Sequence, residues 1–450
     1  MTPLAPADSI DSPDEVFRLF TSRTNLERTA PQLRLYRLER MVELMRRLEQ
    51  PELSLPVVHI AGSKGKGSTA AFTASLLAAT GQRVGLYMSP HVTDYRERFQ
   101  VIEPGTAVGT EADRHPGRER ALTEAGRHIW REVTRQAAEG VPEDELPTTF
   151  ELMTALAFCY FPRAGCTWVV LETGLGGRLD ATNVCRPAVT MITRIELEHT
   201  DYLGPTLSHI AAEKAGIIKS GAPLLLAPQS SEPDGVFRRI AAERGVTIHD
   251  VAPLPAPAYP EVLLPEWTSL PSCRLAMLGK VHASNAAMGV ACLGFLAHQG
   301  ALPPVGPAQV RRALEGTRLP GRGEICGDLV LDGAHTPESS AALAEAIRER
   351  WGPALQLTVI LGVVAGKDIE GITASLAPIT REFIVSRPGT FKPGDPEEVC
   401  RRAQAAGHNA RLLTNPDDAL AAARRSADGG PILVTGSFYM VAEIRRRVLP

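Results

Sequence analysis

The stretch from Val57 to Phe72, VVHIAGSKGKGSTAAF, sets three glycines and two lysines between a β-branched apolar run and a series of small helix-forming residues. It reads as a strand, a tight loop and the start of a helix. In such a unit glycines let backbone amides crowd around phosphate oxygens, the helix N-terminus adds partial positive charge, and a lysine neutralises the outer phosphates. Lys66 is placed for that task, with Gly62, Gly65, Gly67 and Ser68 around it. The strict pattern GxxxxGK[ST] is not met: Ile60 stands where the first glycine belongs, and Gly67 separates Lys66 from Ser68. The plain alternative is a glycine-rich turn without a ligand, but two lysines at a helix start are unfavourable without an anion.

The chain around this loop has 450 residues, enough for two cores, and two domains is the default. Apolar residues make up 44% and charged residues 22%, a globular balance. A formal net charge of -3 gives no long-range attraction to nucleic acid or to an anionic membrane. Seven cysteines form no CxxC pair, which argues against a disulfide framework and a zinc site. The start, MTPLAPADSIDSPDE, lacks the features of a secretory signal, and no segment approaches the roughly 20 apolar residues needed to cross a bilayer. The expectation is a cytoplasmic protein that binds neither membrane nor nucleic acid.

Residues 14 to 50 alternate apolar and charged positions at helical spacing (Val16, Leu19, Phe20, then Leu35, Leu38, Met41, Val42, Met45), which predicts two helices. VVHIA, VGLYMS (84–89), WVVLET (168–173) and VTMITRI (189–195) read as strands separated by helical stretches, the pattern of a mostly parallel, helix-covered sheet. Between Glu103 and Pro147 the chain turns polar around a helix predicted from Glu119 to Ala138, taken as a peripheral excursion. The Pro-rich interval 251–267 reads as a bend along the surface. After RLPGRGE (318–324) the alternation resumes: DLVLDGA, LTVILGVV, EFIVS, ARLLT and ILVTG are strands, with helices starting near Pro337, Asp368, Pro396, Pro416 and Ser437. The fold class is therefore α/β: a P-loop ATPase-type domain over 1–317 and a smaller Rossmann-like domain over 318–450.

Three further clusters carry chemistry. In YMSPHVTDYRERF, Ser89 follows a strand and faces the crevice beyond its carboxyl end; a capped turn is the bland reading. In VVLETGLGGRLDATN, Glu172 closes an apolar strand, as a magnesium-nucleotide site requires, since Mg²⁺ takes oxygen ligands and one or two carboxylates. Glycines 174, 176 and 177 let the chain pass tightly over a ligand, with Arg178 and Asp180 in reach. In IELEHTDYLG and HIAAEKAGIIKSG, His199 lies past a strand end and Lys214 on a helix; a structural histidine and a solvated lysine are the ordinary readings.

Taken in order, HIAGSKGKGST, SPHVTDYRER, TTFE, LETGLGGRLDATN, EHTDYLGPTLSHIAAEKAGIIKSG, LGKVHASNAA, LPGR, LDGAHTP and VTGSFY resemble the folylpolyglutamate synthase and dihydrofolate synthase family, within the wider Mur ligase group. The resemblance covers nearly the whole chain. It implies that Gly62, Gly65, Lys66, Gly67 and Ser68 hold ATP phosphates, joined by Asn285, Arg322, Asp332 and His335, with ATP in the interdomain cleft. It implies magnesium at Ser89, Glu172 and His199, with a second metal served by Lys214 as a carbamate. Thr148, Thr149, Phe150 and Glu151, with Arg178, Leu179, Asp180 and Ala181, match segments that hold the pterin substrate. The catalytic residues on this reading are Lys66, Lys214 and His199. Departures are Lys64 in the loop, Glu198 before His199, Ala283 after His282, and Thr336.

The implied reaction joins L-glutamate to the carboxylate of dihydropteroate or a reduced folate. ATP phosphorylates the carboxylate, the amine attacks the acyl phosphate, and phosphate leaves. The expected state is a monomer. The rival readings are another Mur-type amino acid ligase, which usually carries an extra N-terminal domain, and a folate or nucleotide binder without activity.

Overall fold

Seven strands build the first sheet: β1 (Val57–Ala61), β2 (Val84–Tyr87), β3 (Phe99–Ile102), β4 (Trp168–Glu172), β5 (Pro187–Ile192), β6 (Leu224–Leu226) and β7 (Ile248–Asp250). Their order is β3-β2-β4-β1-β5-β6-β7, parallel throughout except for β3, which runs antiparallel to β2 at one edge. VVHIA is buried along its whole length because β4 and β5 hydrogen-bond to it on both sides and helices cover both faces, so it reads as a continuous apolar run rather than an alternating one. That central position puts the glycine-lysine loop at the carboxyl end of the innermost strand. The computed structural model describes residues 4–25, 37–109, 115–256, 260–264, 272–389 and 394–449.

The helices Pro13–Thr21 and Glu39–Arg47 fall where the spacing of 14–50 predicts two; Leu35 lies outside the described residues. Helix Pro116–Ala138 corrects one expectation. It is no peripheral excursion: Ile129, Trp130 and Val133 are sealed in the same core as Val16, Phe20 and Leu156. Its polar residues misled because they line only the outer face, while the apolar ones fall at 3.6-residue spacing on the inner one. In the interval 251–267 the described residues include β8 (Glu261–Leu263), which pairs antiparallel with β9 (Ser272–Arg274); residues 257–259 and 265–271 lie outside them.

The second sheet has six strands, β10 (Glu324–Cys326), β11 (Leu329–Leu331), β12 (Leu357–Leu361), β13 (Thr380–Val385), β14 (Ala410–Leu412) and β15 (Ile432–Thr435), in the order β10-β11-β15-β12-β13-β14, with only β10 antiparallel. The five expected strands are β11 to β15. Alternate residues serve two cores: Val359, Leu361, Val385 and Leu433 lie in one, Leu331, Ile360, Ile384 and Val434 in the other, as the two-residue period of a doubly covered sheet demands. Helices open at Pro337, Ile369, Pro396, Pro416 and Phe438, each preceded by a Thr, Asp, Asn or Ser whose side chain caps the first turn.

Two compact units result. One gathers residues 1–91, 95–254 and 284–314; the other gathers 92–94, 255–283 and 315–450, where the sequence reading drew a single cut at 317. Among the described residues no helix is long and apolar enough to cross a membrane.

Candidate active site

The loop after β1 is shaped by its neighbours as well as by its own glycines. Gly62 has φ +149°, and a Cβ there would lie 1.8 Å from Thr193 Oγ1, so no side chain fits. The amides of Ser63 and Lys64 donate to Arg194 O at 3.0 and 3.3 Å, and Thr193 Oγ1 donates to Lys64 O at 2.7 Å. Gly65, at φ +85°, precedes helix Lys66–Ala79 and offers its first turn no side-chain cap; that turn carries no acidic residue either. A Cβ on Gly65 would meet Asn285 Oδ1 at 2.4 Å, and Thr69 Oγ1 donates to the same oxygen at 3.5 Å. Asn285 thus stands against the loop. Gly67 and Ser68 lie buried in the first turn.

Two lysines converge on one carbonyl. Lys66 Nζ donates to Gly62 O at 2.9 Å, and Lys214 Nζ donates to the same oxygen at 2.7 Å and to Glu198 Oε1 at 2.8 Å. Lys214 is 1% exposed. Burial, then the Lys66 charge, brings its amine down to about 8 against the pull of Glu198. Burial pushes the Glu198 carboxyl up, but Lys214 and Lys66 outweigh it and the net displacement is downward. In the sequence Glu198 stands out only as a departure, because two residues 16 positions apart carry no local signal of their partnership.

Glu172 ends β4, buried, and its Oε2 accepts from Ser89 N at 3.1 Å, so these two expected metal residues are neighbours. His199 has φ +47° and begins the short helix Thr200–Leu203; its ring is exposed. Among the described residues no group of three or more His, Cys, Asp or Glu side chains is gathered as a metal cage.

The glycine-rich loop after β4 lies on the Lys214 helix. A Cβ on Gly177 would sit 2.8 Å from Lys214 O, and one on Gly216 would sit 2.3 Å from Arg178 Cα. Arg178 N donates to Glu213 O at 2.8 Å, and its guanidinium pairs with Glu213 Oε1 at 2.8 Å. Asp180 turns inward: Oδ2 accepts from the amides of Gly174 and Leu175, both at 2.9 Å, while Oδ1 accepts from Thr182 N at 3.0 Å and from Thr182 Oγ1. Leu179 is partly exposed and Ala181 buried. Gly174 leaves room for Phe150, whose ring a Cβ would meet at 2.4 Å, so the two expected pterin segments touch. Thr148 and Glu151 form a capping box on helix Thr149–Arg163, and Thr149 Oγ1 donates to Phe20 O at 2.9 Å. Glu151 is also clamped by Arg40, with both side chains buried and Nη2–Oε1 at 3.0 Å. Arg40 was not foreseen; nothing near it in sequence marks it.

In the second unit, Asp332 accepts from Gly323 N at 2.8 Å and Ala334 N at 2.9 Å, which ties LDGAH to the turn bearing Arg322. Burial pushes its carboxyl up to about 6. The Arg322 guanidinium lies 5.0 Å over the Phe438 ring, and His335 Nδ1 is 2.8 Å from Gly333 O. On the other side of the turn, Gly321 N donates to Glu324 Oε2, which is itself held by Arg445 at 3.1 Å.

Residues 321–438 match the Mur ligase, glutamate ligase domain family. Over 439 residues the chain is 30% identical to the dihydrofolate synthase/folylpolyglutamate synthase of Bacillus subtilis, covering 91% of this chain and 94% of that one. The chain belongs to the dihydrofolate synthase/folylpolyglutamate synthase family. Its backbone is similar to the crystal structure of folylpolyglutamate synthase from Thermotoga maritima (TM-score 0.80, 26% identity, 97% of this chain and 96% of that one). It is also similar to Mycobacterium tuberculosis folylpolyglutamate synthase complexed with ADP and AMPPCP (TM-score 0.76, 26% identity, 92% of this chain and 96% of that one). Family membership bears out the sequence resemblance and the α/β fold class of two sheet domains.

Proposed function

We propose that the residues around the Gly62–Ser68 loop carry out ATP-dependent joining of L-glutamate to a folate-type carboxylate. The chain is an ATP-dependent ligase of the folylpolyglutamate/dihydrofolate synthase type. The observation that carries the residue-level reading is the Lys66 ammonium, held on the Gly62 carbonyl beside an uncapped, acid-free helix start. That is a place for concentrated negative charge.

In this reading Lys66, Gly65, Gly67, Ser68 and Asn285 hold the triphosphate, with Arg322, Asp332 and His335 also binding ATP. Phosphoryl transfer to the substrate carboxylate asks the protein for position and charge neutralisation more than covalent chemistry. Lys66 supplies a cation where charge builds on the transferring phosphoryl group. Thr148 to Glu151 and Arg178 to Ala181 present the pterin side of dihydropteroate or a reduced folate. Glu172 offers a carboxylate that the Ser89 amide holds, and with the Ser89 hydroxyl it makes an oxygen set of the kind that suits Mg²⁺, which keeps waters and takes phosphate oxygens instead of an all-protein cage. His199 completes the proposed ligands. Magnesium, when bound, neutralises phosphate charge and polarises the phosphoryl group.

Lys214 is the proposed carbamate. Its lowered amine is neutral near pH 8 far more often than an ordinary lysine, and a neutral amine is what adds to carbon dioxide, losing a proton as the N–C bond forms. The product places a carboxylate where a second metal is wanted. Seven free cysteines support the reading of a reducing, cytoplasmic setting.

The test is glutamate-dependent phosphate release from ATP, with dihydropteroate and tetrahydrofolate compared as acceptors, in the parent and in Lys66→Ala. The parent should release phosphate only with all three substrates. Lys66→Ala should lose about a hundredfold or more in kcat while keeping its unfolding temperature. Activity within about tenfold of the parent overturns the assignment of Lys66.

A further inference from the structure

His59 sits in the middle of β1, fully buried, where an apolar residue would serve the core at less cost. Its ring is not idle. Nε2 lies 2.7 Å from Thr182 Oγ1, and Nδ1 lies 3.6 Å from Cys185 Sγ. Burial, then the Lys219 charge, lowers the imidazole to about 3, so it is neutral and carries a single N–H.

The direction of each bond follows from counting protons. Three backbone amides and the Thr182 hydroxyl surround Asp180, and every one is a donor, so the carboxylate accepts from all four. The one hydroxyl proton of Thr182 is therefore spent on Asp180, and Thr182 Oγ1 takes its own hydrogen bond from His59 Nε2–H. Nδ1 is then bare and faces the Cys185 thiol, which has a proton to give. A one-way chain runs Cys185 to His59 to Thr182 to Asp180, and Asp180 in turn fixes the amides of Gly174 and Leu175. Lys219 holds the far end of the same turn by donating to the carbonyls of Asn183 and Cys185.

We propose that His59 is a positioning residue for the folate substrate: it orders Thr182, and through it the Asp180 carboxylate, so that the Gly174–Asn183 loop keeps its substrate-binding shape. The proposal rests on the reading of this loop as a pterin segment. His59 is on β1, three residues before Gly62, where the phosphate loop leaves that strand, so the phosphate loop and the folate loop are referred to one rigid element. A leucine at 59 would fill the core but leave Thr182 Oγ1 without its donor, and the loop amides held less firmly.

The experiment measures KM for the folate acceptor and for ATP separately in His59→Leu, His59→Gln, Thr182→Val and the double variant His59→Leu/Thr182→Val. Glutamine places its amide N–H near the position of Nε2–H and is the conservative variant. Hydrogen exchange at the Gly174 and Leu175 amides supplies a readout apart from activity. We expect His59→Leu and Thr182→Val each to raise the acceptor KM about tenfold and leave the ATP KM within about twofold, with faster exchange at both amides. The double variant should be no worse than the single ones, and His59→Gln should recover most of the loss. Should His59→Leu fail to fold, Thr182→Val and His59→Gln decide the matter. Equal rises in both KM values, an unchanged acceptor KM in Thr182→Val, or additive losses in the double variant overturn the proposal. A parent that releases no phosphate with any folate acceptor overturns instead the functional reading on which it rests.

Discussion

Asp180 in the first unit and Asp332 in the second occupy similar places, each on a loop past the carboxyl end of a parallel strand and each with its carboxyl displaced upward, first of all by burial. They differ in what is left over. Asp180 is 4% exposed and accepts four hydrogen bonds, which fill its two oxygens. Asp332 is only partly buried and accepts two, from Gly323 and Ala334, so acceptor capacity remains on both oxygens. One aspartate is a fastener for its own loop; the other can fasten its loop and still meet a ligand. The family resemblance implies a ligand-binding task for both, and they differ in the number of donors each already accepts from.

Removing Asp180 is the harshest way to probe the contrast. Asp180→Ala leaves three amides and a hydroxyl without their acceptor in a sealed site and should cost about 4 kcal/mol of folding free energy, measured by urea unfolding. A loss below about 1 kcal/mol would mean that water or a shifted side chain replaces it easily, and the fastener description would fail.

Lys214 is the basic counterpart, a buried charge whose partners are known. Lys214→Ala should cut turnover by about a hundredfold. Added short carboxylic acids should restore part of it, as expected if the missing group is a carbamate; no restoration at any acid concentration counts against the modification.

The mildest change is Asp332→Asn, which keeps the shape and removes the charge. We expect a rise of about tenfold in the ATP KM. It also has a pH signature. A carboxyl raised from 3.8 to about 6 favours the folded state while protonated, so its contribution is complete below 3.8 and is lost as the pH rises through 6. The stability difference between the parent and Asp332→Asn should therefore shift against the parent over that window, and a flat difference would show that Asp332 is not displaced.

Much of this was legible in the chain. β1, β4, β12 and β15 announce themselves as runs such as VVHIA and WVVLE, and the second unit's helices are punctuated by Pro337, Pro396 and Pro416 right after a capping residue. The strands that escaped are short or at edges. Leu224–Leu226 and Glu324–Cys326 have three residues each, too few to show a period, and Phe99–Ile102 follows a charged turn that hides it. In the site, glycines at 62, 65, 174 and 177 were visible as types, but the partner each one makes room for was not. Arg40 with Glu151, Glu198 with Lys214 and His59 with Thr182 are separated by 111, 16 and 123 positions, and no local pattern pairs them. Only a polar residue interrupting an apolar strand, His59, left a trace that could have been followed.

The shared oxygen of Gly62 has a further implication. A carbonyl has two lone pairs, and here both are occupied by ammonium groups from different elements. A Lys66 that neutralises phosphate, as proposed, gives up one of them. The Gly62 carbonyl is then the group that holds the Lys66 ammonium beside the loop when no phosphate does.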